Sequence, residues 1–177
     1  MKTRWEKLPG LPATGPITLS FRPDGRPFHS EGLVVRFFPV AGAPWTGNFY
    51  PAFGRLNAVF DHPNQRHIVV IAQGQAYVVE PELKIVEESF GADLCEAVAV
   101  LEPSALVLAG YTSLEVITPD ERWCSPRVSW DGIWDLSVLG SIVSGTSFDA
   151  INEAAVAFSL DVATRELVGG AYSKEFG

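Results

Sequence analysis

The chain is short of most residues on which catalytic chemistry is built. In 177 residues it has three histidines (His29, His62, His67), two cysteines (Cys95, Cys124) and one methionine. Two cysteines cannot complete a metal site alone, and both are expected to be reduced and half-buried. His62 and His67 lie in a proline-containing turn, DHPNQRH (61–67). That is not the His-x-x-x-His spacing of a helical zinc motif, and no cysteine or carboxylate set completes it. A turn with solvated imidazoles is expected there, with no metal and no cofactor. No Gly-x-Ser-x-Gly nucleophile elbow occurs; GSIVSG (140–145) places two serines between glycines at the wrong spacing. No Gly-rich phosphate loop opens a helix, and there is no Asp-x-Asp-x-Asp calcium loop. Glu80, Glu82, Glu87 and Glu88 form an acidic stretch. Glu87 and Glu88 are adjacent, so in a strand they point to opposite faces, and a solvated edge is expected rather than an acid/base pair.

Basic residues are scarce as well. Thirteen Lys and Arg face 21 Asp and Glu, for a net charge of −8. The basic residues are scattered, which argues against duplex binding, because neutralising phosphates needs clustered Lys and Arg. An acidic surface suits solubility or a partner with a basic surface. No apolar run approaches the ~20 residues of a membrane span. The opening MKTRWEKLPGLPATGP has no apolar stretch of signal-peptide length, so a cytoplasmic protein without membrane contact is expected. Long helical patterns are also missing.

What the chain does have is aromatic residues, turn residues and repetition. It carries 11 Phe, five Trp and four Tyr, with 16 Gly and 13 Pro. PITLSFRPDGRPF (16–28) reads as a strand and a Pro-Asp-Gly turn, GLVVRFFPV (32–40) as a second strand, and AGAPWTGNFYPAFG (41–54) as a long aromatic loop. Beyond it, Val78-Val79-Glu80-Pro81-Glu82 falls on Val116-Ile117-Thr118-Pro119-Asp120, and Ile68-Val69-Val70 on Leu106-Val107-Leu108, both at an offset of 38. LSVLGSIVSGTSF (136–148) and AAVAFSLD (154–161) form a more diverged third copy with FDAINE (148–153) inserted. AQGQAY (72–77) reads as a two-residue hairpin turn. LKIVEES (83–89), RWCSPRVSW (122–130) and TRELVGGAY (164–172) supply a fourth strand to each copy.

A period near 40 residues with about four short strands is the pattern of propeller blades. An all-β fold of tandem propeller-like repeats is therefore expected: three visible, with the N-terminal strands able to complete a fourth. The alternative is a β-sandwich of tandem meanders. The division is one β domain over 1–177, with N-terminal strands and the aromatic loop in 1–54 and repeat units at 55–95, 96–132 and 133–177. RVSWDGIWD (127–135) falls at the junction between units. Asp131-Gly132 there carries the signal of a hairpin turn, and its flanking tryptophans are expected to pack a core.

The runs WTGNF (45–49), IVVIAQGQAYVVEPE (68–82), RVSWDGI (127–133) and FSLDVATRELVGGAY (158–172) resemble a group of small bacterial all-β proteins with propeller-like repeats. Those share a Trp-x-Gly-Asn-Phe element, a strand pair ending Val-Val-Asp/Glu-Pro-Glu/Asp, a Ser-x-Asp-Gly-Ile turn and a closing Asp-x-x-Thr-x-x-x-x-Gly-Gly. Here Trp130 stands at the variable place before Asp131, and Arg165 where glycine is common. The resemblance implies a single β domain of bacterial origin and no particular reaction.

Three functions fit. One is a non-enzymatic acidic interaction protein, in concrete form a bacterial immunity or inhibitor protein that binds a basic partner. The second is a small-molecule or carbohydrate-binding module, or a hydrolase whose acid pair the spacing hides. In that case Trp45, Tyr50, Trp130 and Trp134 stack on the ligand while Asn48 and Asp131 bind its hydroxyls. The third is a subunit of a larger assembly. The first is the reading preferred from sequence.

Overall fold

The structure is a computed structural model that describes residues 3–172. Those residues form sixteen strands and no helix, so none is long and apolar enough to cross a membrane. The strands make four four-stranded sheets. The N-terminal sheet has β1 (Trp5–Lys7), β2 (Leu19–Phe21), β3 (Leu33–Phe37) and β4 (Trp45–Phe49) in the order β1-β3-β4-β2, with β2 parallel to β4. The others are antiparallel meanders in chain order: β5 (Ala58–Asp61), β6 (Ile68–Ala72), β7 (Gln75–Glu80) and β8 (Ile85–Phe90); then β9 (Glu96–Val100), β10 (Ala105–Ala109), β11 (Leu114–Ile117) and β12 (Arg122–Cys124); then β13 (Ile133–Leu139), β14 (Ile142–Asp149), β15 (Ala154–Asp161) and β16 (Glu166–Gly169).

The 38-residue period holds at the level of strand register. Asp61 pairs with Ile68, Ala99 with Leu106 and Ser137 with Ser144, each 38 residues on from the last. Ile68 pairs with Val79 and Leu106 with Ile117 in the next hairpin. In the third copy Ser144 meets Ser159 rather than Ala155, so that hairpin is four residues longer. The turn at Gln73-Gly74 explains the tight second hairpin: both residues have positive φ, 42° and 84°, which matches the twist of the strands they join.

The chain divides into two compact units. One holds the residues up to Asp61 with Arg66–Ala92, and the other His62–Gln65 with Asp93 onward. Each unit has its own core between two sheets. In the first, Val35, Phe37, Trp45 and Phe49 meet Ile68, Val70, Tyr77 and Val79. In the second, Val107, Leu114 and Val116 meet Ile133, Val143, Phe158 and Leu160. The middle strands β6 and β10 are buried at every position, which is why they read as continuous apolar runs.

Two local readings of the sequence are corrected. Residues 45–49 are strand β4, buried throughout, and not part of a long loop. Gly47 permits this: a Cβ there would lie 2.7 Å from the Phe49 ring and 3.2 Å from that of Phe37. Asp131-Gly132 is not a hairpin turn, because no strand precedes it. Val128 and Ser129 donate their N–H groups to the Thr112 carbonyl, Trp130 to Phe148 and Gly132 to Tyr111. The stretch is a stapled junction between the β9–β12 and β13–β16 sheets.

Candidate functional site

The six residues assigned to binding from sequence fall three in each unit. Trp45 and Asn48 are buried, and their polar atoms are committed to the chain's own backbone. Trp45 Nε1 donates to the Pro81 carbonyl at 2.9 Å, and its ring stacks on Phe37 at 4.4 Å. Asn48 Nδ2 donates to the Ser30 carbonyl, and its Oδ1 accepts from the Gly32 N–H. Tyr50 is half-buried, edge-on to Phe28, with the Arg22 guanidinium over its ring. In the second unit Trp130 packs edge-on against Tyr172, with Arg127 lying over both rings. Asp131 is exposed, and Trp134 is half-buried on β13.

Trp134 belongs to a surface that sequence spacing did not single out. Side chains two apart along a strand share a face, and paired residues on neighbouring strands share it too. Val143 and Leu160, fully buried, mark the inner face of the β13–β16 sheet. The outer face therefore carries Trp134, Leu139, Ile142, Asp161, Glu166 and Val168. Leu139 is 84% exposed, Val168 59% and Ile142 42%. The acid Asp161 is held below the usual carboxylate range, first by the Ala163 N–H it accepts.

Charge is distributed unevenly between the units. The first has nine basic and eight acidic residues, a net of +1; the second has four basic and thirteen acidic, a net of −9. Glu102, Asp120, Glu121, Asp131, Asp135, Glu153 and Glu166 of the second unit are exposed.

A second group of functional side chains lies in the first unit. His67 there is buried rather than solvated, as is His62 of the second unit, and Glu80, read as part of a solvated edge, is only 2% exposed. His67 directly precedes β6 and Glu80 ends β7. The pairing of Ile68 with Val79 carried one step further puts them opposite each other. Glu87 joins them through a bulge in β8. Val78 pairs with Glu88 and Val79 with Val86, so Glu87 is the extra residue, and its side chain is re-aimed. His67 Nε2 lies 3.0 Å from Glu87 Oε2 and 3.6 Å from Glu80 Oε2. Arg66 bonds Glu80 through Nε and approaches Glu87 Oε1 at 3.7 Å. Burial pushes the Glu80 carboxyl up, but the Arg66 hydrogen bond, the Glu82 N–H and the nearby positive charge outweigh it and hold the group below its ordinary value. His67 Nε2 and one carboxylate oxygen each of Glu80 and Glu87 lie within 4.8 Å of one another, a set able to hold a metal ion. Elsewhere in this unit, a groove of about 450 Å³ is lined by Leu8, Pro9, Gly10, Leu11, Pro12 and Arg36.

Both cysteines are thiols; Cys124 is exposed rather than half-buried. No protein-family model matches the chain, and no curated protein matches it.

Proposed function

We propose that the chain is a non-enzymatic binding protein whose partner is a protein with a basic surface, and that the outer face of the β13–β16 sheet is the contact. The observation that carries this reading is the concentration of the negative charge in the second unit, net −9, beside the exposed apolar side chains Leu139, Ile142 and Val168. Acidic surroundings speed encounter with a basic partner, while apolar side chains on a rigid sheet supply the area removed from water. Trp134 on the same face is the aromatic anchor, a residue type that dominates interface energies. Inhibition of a basic toxin or enzyme in a bacterial cytoplasm is the concrete form of this role. Two cysteines held as thiols suit such a reducing compartment. Carbohydrate stacking draws less support, because Trp45 and Asn48 already use their polar atoms on the fold.

The test uses the full chain as tagged bait in extract of its source cells, followed by purification of whatever is captured. A stoichiometric basic protein is expected. Its affinity should fall with added salt and drop roughly tenfold for Leu139→Ala with Ile142→Ala, which would place it on this face. Capture of nothing, or of a partner indifferent to both changes, refutes the reading.

A further inference from the structure

The fold does not require the charged cluster in the first unit. The β9–β12 meander reproduces the first two hairpin registers of β5–β8 38 residues on, yet there His67 is replaced by Ala105 and Glu80 by Thr118. Arg66 is replaced by Ser104 in the same copy. A buried carboxylate is costly to keep, and a buried ion pair adds little to stability that apolar packing would not. The bulge that turns Glu87 toward His67 is the kind of irregularity sheets use to re-aim a side chain beside a site. Cluster and bulge together call for an explanation beyond the fold.

We propose that His67, Glu80 and Glu87 form a divalent transition-metal site of the zinc class, and that the metal takes the place of the Arg66 guanidinium. The ligand atoms are His67 Nε2, Glu80 Oε2 and Glu87 Oε2. Zinc bonds of about 2.0–2.2 Å to imidazole and carboxylate put neighbouring ligands roughly 3–3.5 Å apart. The 3.0 Å and 3.6 Å separations here already have that size. One nitrogen with two carboxylate oxygens suits zinc better than calcium or magnesium, which favour all-oxygen shells. Three protein ligands leave a fourth position open to water or to a group from outside. The buried Glu80 carboxylate needs a cation beside it, and in the metal-free chain Arg66 supplies one. The Arg66 side chain is 61% exposed, so it can swing into solvent when a metal arrives. Glu80 keeps its second oxygen on the Glu82 N–H throughout, which orients the ligand. This site stands apart from the partner reading and does not depend on it.

The experiment is calorimetric titration of the full chain with zinc chloride after chelator treatment. The Cys124→Ser background removes the exposed thiol as a competing ligand. One zinc per chain is expected. Glu87→Gln should weaken binding by at least roughly tenfold, the usual effect of damaging a metal site. Arg66→Ala should bind more tightly than the parent, since nothing then competes for Glu80. Both side chains are substantially exposed, 38% and 61%, so neither substitution opens a cavity. Thermal unfolding of each variant before titration checks that it is folded, above all Arg66→Ala, which leaves the Glu80 carboxylate without its cation. An unbound parent chain, or a Glu87→Gln variant that binds as well as the parent, overturns the site. An Arg66→Ala variant that binds no better overturns the exchange with arginine.

Discussion

At the scale of single residues, several buried polar groups make bonds whose loss has a calculable sign. Tyr77 is fully buried and donates its hydroxyl to the Tyr50 carbonyl at 2.7 Å. Burial, the largest cause, pushes its phenol well above the ordinary tyrosine value. The folded state therefore holds this proton more tightly than the unfolded chain does. The resulting stability is fully present below about pH 10 and is lost as pH rises through the folded value. Tyr77→Phe is expected to cost about 1–2 kcal/mol at neutral pH, because the Tyr50 carbonyl loses its donor. The gap between variant and parent should narrow steadily above about pH 10, since the variant has no phenol there to ionise. Urea unfolding at a series of pH values measures this, and a gap that stays constant would show that the phenol does not titrate with folding. Asn48→Ala should cost about 2 kcal/mol or more, as it strands the Ser30 carbonyl and the Gly32 N–H together. Chemical denaturation reads the shift in midpoint.

At the scale of elements, Gln73 and Gly74 occupy left-handed positions in the β6–β7 turn. Asparagine tolerates that conformation better than glutamine, so Gln73→Asn should raise stability by roughly 0.5 kcal/mol, while Gly74→Ala should lower it by about 1 kcal/mol. Thermal unfolding of both variants tests the pair, and a destabilising Gln73→Asn would mean that the Gln73 side chain contributes something the turn does not need. Much at this scale was legible in the sequence. The period of 38 and the two-residue turn fixed which strands pair, because alternation and turn chemistry are local properties. Three features were hidden for physical reasons. Strand β4 is buried at all five positions, so WTGNF shows no alternation, and flanking Pro and Gly made it read as loop. Asp131-Gly132 has turn chemistry but lacks a strand before it, since the backbone from Val128 to Gly132 bonds to Thr112, Tyr111 and Phe148 instead. The Glu87 bulge leaves no mark on composition. Without it, adjacent glutamates point to opposite faces, and the approach to His67 and Glu80 cannot be inferred.

At the scale of the whole molecule, the net charge of −8 conceals a near-neutral unit and a strongly acidic one. A total alone cannot show this, because the acidic excess belongs to the unit made of His62–Gln65 and the residues from Asp93 onward. The consequence is kinetic. Long-range attraction acts on encounter, whereas close packing sets the lifetime of a complex. If a basic partner docks on the β13–β16 sheet, neutralising Asp131 and Asp135 as Asp131→Asn and Asp135→Asn should slow association several-fold at low salt and leave dissociation nearly unchanged. The slowing should fade as ionic strength rises past about 0.15 M, where the screening length falls to about 8 Å. Leu139→Ala and Ile142→Ala should do the reverse, speeding dissociation with little effect on association. Glu6→Gln, a substitution of the same charge in the near-neutral unit, should change neither rate appreciably. Stopped-flow or surface-based kinetics with the captured partner separates these effects. Slowing by Glu6→Gln equal to that by Asp131→Asn alone would mean that encounter senses only the total charge, and the acidic unit would lose its claim to be the docking side.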